Sequence, residues 1–265
     1  MKSINIVALL ASIPNLLLSA TVTNSNEEAK LAMQLSNPVA ALISVPLQSN
    51  WDFGIGVNNA YRYTLNVQPV IPITLNSEWN LISRTILPII DAESPAPGID
   101  NVSGIGDITQ SLFFSPQKPT EGGLIWGVGP VVLIPSASND LLGSDKWGAG
   151  PTIVLLKQQD GWTYGMLANQ IWSFGDNVEA VNSTYVQPFI SYTTKTHTTF
   201  GLNAESTYNW EQSQLTLPFN LTLAQLIKIG ELPVQLQVGG RYYADKPEGG
   251  PDWGLRFTVT FLFPK

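Results

Sequence analysis

The chain has 265 residues and a formal net charge of −7, and only 12% of its residues are charged, roughly half the usual share for a soluble protein. The acidic balance argues against a nucleic-acid partner, and the absence of cysteine excludes disulfides and thiolate metal sites. Mean hydropathy is only +0.09, and past the N-terminus no run of about 20 apolar residues exists, so helical membrane spans are excluded. An antiparallel barrel in a membrane needs apolar residues only at every second position, and a low-charge chain rich in Trp, Tyr, Phe, Gly, Asn, Thr and Gln suits it.

The first twenty residues have the make-up of a secretory signal: Lys2, an apolar stretch from Ile4 to Leu18, and Ser19-Ala20 as a small-residue cleavage site. Residues 21–44 form a separate N-terminal segment. Glu27 to Leu35 are good helix formers, Asn24 or Ser25 is a candidate cap, and Asn37-Pro38 stops the helix. Such a helix would sit in the periplasm, fold into a barrel mouth, or remain a mobile leader.

Residues 45–265 carry twelve strand candidates. They run Val45 to Gly56, Tyr61 to Leu75, Trp79 to Ile90, Ile105 to Ser115, Leu124 to Ile134 and Trp147 to Lys157. The rest are Trp162 to Phe174, Thr184 to Thr194, Thr199 to Trp210, a segment about Leu215 to Leu223, one about Val234 to Tyr242, and Trp253 to Phe263. The last is the clearest. Trp253, Leu255, Phe257, Val259, Phe261 and Phe263 alternate with Gly254, Arg256, Thr258, Thr260 and Leu262, so one strand face is apolar and the other carries a charge and hydroxyls. The third candidate alternates poorly. Strands of about 9–13 residues suit a tilted crossing, and the expected fold is an all-β, antiparallel up-and-down transmembrane barrel of about twelve strands.

Tight turns at Asn76-Ser77, Gln159-Asp160-Gly161 and Ile229-Gly230-Glu231 alternate with longer links at Asp91–Gly104, Pro135–Lys146, Gly175–Asn182 and Asp245–Pro251. An even strand count puts both chain ends in the periplasm and the long links outside the cell. Those links, with Asp252 just past the last, hold ten acids, among them Asp91, Asp140 and Glu248, against Lys146 and Lys246. They would bind the divalent cations that bridge lipopolysaccharide, or be simply solvated. Trp79, Trp147, Trp162, Trp172, Trp210 and Trp253 fall near strand ends, the headgroup level where amphipathic rings gather.

Several blocks resemble a group of Gram-negative proteins labelled "transporter" or "neuromedin U". They include Asn37-Pro38-Val39-Ala40, Gln68-Pro69-Val70-Ile71-Pro72, Trp79-Asn80-Leu81-Ile82-Ser83-Arg84-Thr85, Trp126-Gly127-Val128-Gly129-Pro130, Lys146-Trp147-Gly148-Ala149-Gly150-Pro151 and Lys246-Pro247-Glu248-Gly249-Gly250-Pro251-Asp252-Trp253. These proteins are related to the outer-membrane proteins of the meta-pathway of phenol degradation. The resemblance covers most of the mature chain and implies an outer-membrane β-barrel. It brings no catalytic or ligand residues, and it alone suggests a mildly apolar solute.

Strand parity turns seven ionisable residues toward the lumen. Arg62, Arg84, Arg241 and Arg256 share one wall once the last strand joins the first, with Asp52 among them. Asp107 and Glu205 are candidates for the opposite side. An arginine on the lipid face at midplane would cost about 2–4 kcal/mol. The basic wall would form a polarised constriction that sorts small solutes by charge, or Arg–Asp and Arg–Glu pairs would plug a narrow barrel. Neither a cofactor nor a metal site is expected. Catalysis is not expected either, because the single histidine, His197, falls in a short turn with no serine at a motif position. The expected function is a passive channel for small solutes in the outer membrane, in contact with lipid and lipopolysaccharide. The alternatives are a plugged structural or surface-interaction barrel and, less favoured, a hydrolase.

Overall fold

The fold comes from a computed structural model, which describes residues 25–174 and 180–263. The signal segment expected at residues 1–20 lies outside the described residues. A helix, α1 (Ser25–Leu35), precedes twelve antiparallel staves. They are β1 (Ile43–Ile55), β2 (Ala60–Val67 and Val70–Thr74), β3 (Trp79–Ala92), β4 (Val102–Ile105 and Ile108–Pro116), β5 (Leu124–Ile134) and β6 (Gly148–Gln159). They continue as β7 (Trp162–Ser173), β8 (Asn182–Thr193), β9 (Thr198–Ala204 and Ser206–Asn209), β10 (Gln214–Ile229), β11 (Leu232–Asp245) and β12 (Trp253–Phe263). Each stave pairs with its sequence neighbour, and β12 pairs with β1 from Ile43 opposite Phe263 to Phe53 opposite Trp253. The sheet is closed, so it has no edge strand with unpaired amides.

Three staves are interrupted for local reasons. Gln68-Pro69 breaks β2, since proline cannot donate to a ladder. Gly104-x-Gly106 breaks β4, and Glu205, whose amide bonds to Pro218 O, breaks β9. Gly150 marks a close strand approach, because a Cβ there would collide with the Gln170 carbonyl of β7.

Alternation sorts the two faces. Along β12, Gly254, Arg256, Thr258, Thr260 and Leu262 are buried inside, while Trp253, Leu255, Phe257 and Phe263 face outward and exposed. On β10 and β11, Leu221 is 68% exposed and Val238 53%. Apolar patches this extensive are foreign to water-soluble monomers; they form a belt that suits hydrocarbon. Aromatic pairs mark both rims. Trp79 packs edge-on against Trp126 and Trp162 against Tyr192 at the tight-turn end, with centroids 5.7 and 5.0 Å apart. Phe53 stacks on Trp253 and Tyr208 meets Trp210 edge-on at the other end, at 4.6 and 4.7 Å.

Long links join β3 to β4, β5 to β6 and β11 to β12, as expected, but length alternation is imperfect. The links 56–59 and 210–213 on the same side are tight, and 117–123 on the opposite side spans seven residues. Charged groups on the long links include Lys246, which pairs with Asp252 and donates to Gly250 O at 2.8 Å.

The N-terminal segment is folded into the barrel at the tight-turn end. Glu28 meets Lys228 of β10 at 2.6 Å and His197 of the β8–β9 turn at 3.4 Å, and Met33 O accepts from Gln158 Nε2 of β6 at 2.7 Å. Ala32 is fully buried and packs with Ala40, Leu42, Leu226 and Leu262. The helix ends where proline predicts: Asn37 Oδ1 accepts from Val39 N, fixing the turn before the chain enters β1. His197 adopts a left-handed backbone (φ 62°) and serves as an anchor point for the helix, not as a solvated turn residue.

Candidate functional site

The lumen has three regions. On the β3–β8 side, inward Ile82, Phe113, Val154, Leu156 and Leu167 close around Val39 of the N-terminal segment. All six are almost wholly buried. This apolar core explains why β3 alternates poorly: inward Ile82 and Ile90 are as apolar as outward Leu81 and Ile89.

The second region is an ion-pair network. Arg256 of β12 donates to both carboxylate oxygens of Glu205, at 2.8 and 2.9 Å, and through Nε to Asn50 Oδ1 at 2.8 Å. Arg241 of β11 donates to Glu205 as well, to Asp52 of β1 at 3.3 Å and to Asn220 Oδ1 of β10 at 2.9 Å. Its guanidinium also sits 5.6 Å from the Tyr243 ring centroid. Gly254 makes this possible, since a Cβ there would press on the Asp52 carboxylate. Arg62 stands opposite Asp52 in the β1–β2 register. Arg84 on β3 donates to Gln68 Oε1 at 3.1 Å and has no carboxylate within ion-pair distance among the described residues.

The structure therefore brings Arg241, Arg256, Asp52 and Glu205 together. Glu205 does not face the basic wall across open space: from β9 its side chain reaches the wall and joins two arginines. Asp107 does not join the network. The glycine-flanked break in β4 takes it out of the strand parity. Its carboxylate accepts from Ser136 N and Ala137 N at 3.2 Å and from Ser144 N and Oγ at 2.6 and 2.8 Å. Asp107 is thus a latch for the β5–β6 link, whose Leu142 is buried. Its tie to that link was not legible in the alternation pattern. The Gly-x-Gly-Asp sequence was the available signal.

The third region is a cavity of about 270 Å³ between the end of α1 and the walls β1–β3 and β8–β12. Neutral hydrogen-bonding side chains dominate its lining, among them Gln48, Gln68, Gln235, Gln237, Thr222 and Thr260. Inward parity made these residues visible in the sequence, but nothing there showed that the N-terminal segment would close them into a chamber. Among the described residues, no three His, Asp or Glu side chains gather as a metal site.

A closed antiparallel ring, an apolar belt outside and a polar, partly filled lumen define the class: an outer-membrane-type β-barrel of Gram-negative bacteria. No family model and no curated protein matches the chain. Among solved structures, it is similar to the COG4313 outer membrane channel from Pseudomonas putida F1. That likeness has a TM-score of 0.64 and 16% identity over 84% of this chain and 94% of that one. Looser likenesses are the KdgM porin in complex with disordered oligogalacturonate (TM-score 0.45, 11% identity, 84% and 99% covered) and the outer membrane phospholipase A from Escherichia coli (0.45, 12%, 83% and 92%). At these identities the likeness concerns fold and not activity.

Proposed function

We infer that this protein is a passive outer-membrane channel for small solutes, whose lumen is narrowed at the periplasmic end by residues 25–42. The observation that carries the reading is the polar cavity on one side of the lumen, floored by a segment held to the wall by a few side-chain contacts. Aliphatic side chains alone would serve a solid structural barrel better, since each buried polar group costs free energy unless it is bonded. The likeness to a solved outer membrane channel and the resemblance of several sequence blocks to the meta-pathway outer-membrane proteins support the same reading. The outward belt would contact lipid and, at the acidic links, lipopolysaccharide.

A second reading has its own support. The apolar core around Val39 fills the lumen on the β3–β8 side, which suits a plugged structural or surface-interaction barrel. Liposome swelling separates the two. With sugars, amino acids and aromatic acids outside, the channel reading expects slow swelling with the full chain and faster swelling without residues 25–42. No swelling with either folded protein would overturn it and leave the plugged barrel.

A further inference from the structure

The cavity beside α1 has a lining more specific than that of a water-filled passage. Arg84 is the sole charged residue on it, and no carboxylate lines it. Arg84's bond to Gln68 leaves most of its five donors available for a planar acceptor. Two hydroxyls on the same lining, Thr258 Oγ1 and Ser191 Oγ, are buried without a hydrogen-bond partner. Thr258 as a residue is only 4% exposed. Buried hydroxyls are normally bonded, and an orphan calls for an explanation. The two belong to neighbouring rungs of the barrel. Thr258 stands between Gln48 of β1 and Gln237 of β11. Ser191 stands opposite Gly201, where the Thr222 hydroxyl occupies the place a Cβ would take.

We propose that this cavity is a binding site for a small hydroxylated monocarboxylate, such as a sugar acid or hydroxy acid. Its carboxylate lies on Arg84, and its hydroxyls bond to Thr258, Ser191 and the flanking glutamines. Three features select this class. Amide side chains both donate and accept, as a polyol requires. A guanidinium with no carboxylate within ion-pair distance among the described residues attracts a monoanion and offers nothing to an ammonium group. The volume, about 270 Å³, exceeds the cavity of about 150 Å³ that holds benzene, and so admits a compact solute of six or so carbon atoms but not a polymer segment. The site lies on the route of the channel proposed above and rests on that reading for its role as a selectivity station.

Calorimetric titration of the purified full-length protein in detergent tests it, with D-gluconate, D-glucose and D-glucosamine as probes. Saturable binding of gluconate, weaker binding of glucose and none of glucosamine are expected. Replacement Arg84→Met should weaken gluconate binding roughly ten- to a hundredfold, the loss of a charge-assisted hydrogen bond, and bring gluconate close to glucose. Thr258→Val, which is nearly isosteric and leaves every observed bond intact, should weaken both and stands in if Arg84→Met does not fold. Absence of saturable gluconate binding, or gluconate binding unchanged in these variants, would overturn the proposal. Its failure is distinct from failure of the channel, because swelling of liposomes by the chain lacking residues 25–42 does not require the chamber that those residues close.

Discussion

Glu205→Gln is the most telling single change in the lumen. Glutamine has nearly the same volume as glutamate, so packing is preserved and the perturbation is electrostatic. In the native chain one carboxylate serves Arg256 through two bonds of 2.8 and 2.9 Å and Arg241 through a third. The side chains are mostly shielded, with 16% exposure for Glu205, 12% for Arg241 and 5% for Arg256. A carboxamide presents one acceptor and points its own N–H groups at a guanidinium. Asp52 is already paired with Arg241 at 3.3 Å and not with Arg256, so Arg256 keeps only Asn50 and a share of one neutral carboxamide oxygen. Removing one partner of such a buried pair costs about 3–5 kcal/mol, a large part of an ordinary stability of about 5–15 kcal/mol. With a urea dependence of about 1–3 kcal/mol per molar, the unfolding midpoint in lipid vesicles should fall by one molar or more. Glu211→Gln, on the exposed link after β9, is the control and should move nothing. Coincident midpoints for the two variants would refute the view that this network holds the barrel wall together.

Leu221→Arg places a charge near the middle of β10 on the outward face and should destabilise the folded barrel by about 2–4 kcal/mol, read from the same vesicle titration. Phe113→Ala opens the fully buried core inside the lumen and should cost about 3–5 kcal/mol while circular dichroism stays that of a β-protein. Glu28→Gln removes contacts to Lys228 and His197 that are partly exposed and so worth about 1 kcal/mol together; amide exchange in α1 should quicken roughly fivefold, with the strands unchanged. In planar bilayers, four inward arginines against Asp52 and Glu205 should give a chloride preference, and Arg241→Glu should move the reversal potential toward cations.

Much of the barrel was legible because lipid and lumen impose opposite demands on successive residues. Where the demand is one-sided, as on β12, eleven residues suffice to place both faces. Where a third environment intervenes, the pattern blurs. β3 lines an apolar core on its inner side, so Ile82 and Ile90 obscure its period. Arg241 and Arg256 were found because an arginine is costly in hydrocarbon, yet their link to Glu205 depends on side-chain reach across three staves, which parity does not encode. Asp107 falls on the lumen side by parity alone, and only the Gly104-x-Gly106 pair signals that one strand segment ends before the next begins. The place of α1 was equally hidden. Its sequence shows a short helix with a proline stop, but only the burial of Ala32 and Leu262 against each other shows that it enters the barrel.

Because the chain has no cysteine, single cysteines can carry spin labels without background. Labels at 218 to 223 along β10, in the protein reconstituted into bilayers, test the alternation of environments most directly. The account predicts that oxygen dissolved in the hydrocarbon relaxes labels at 219, 221 and 223 and spares 218, 220 and 222. Relaxation of 219, 221 and 223 by a water-soluble nickel chelate, at the level of an aqueous loop, would contradict it.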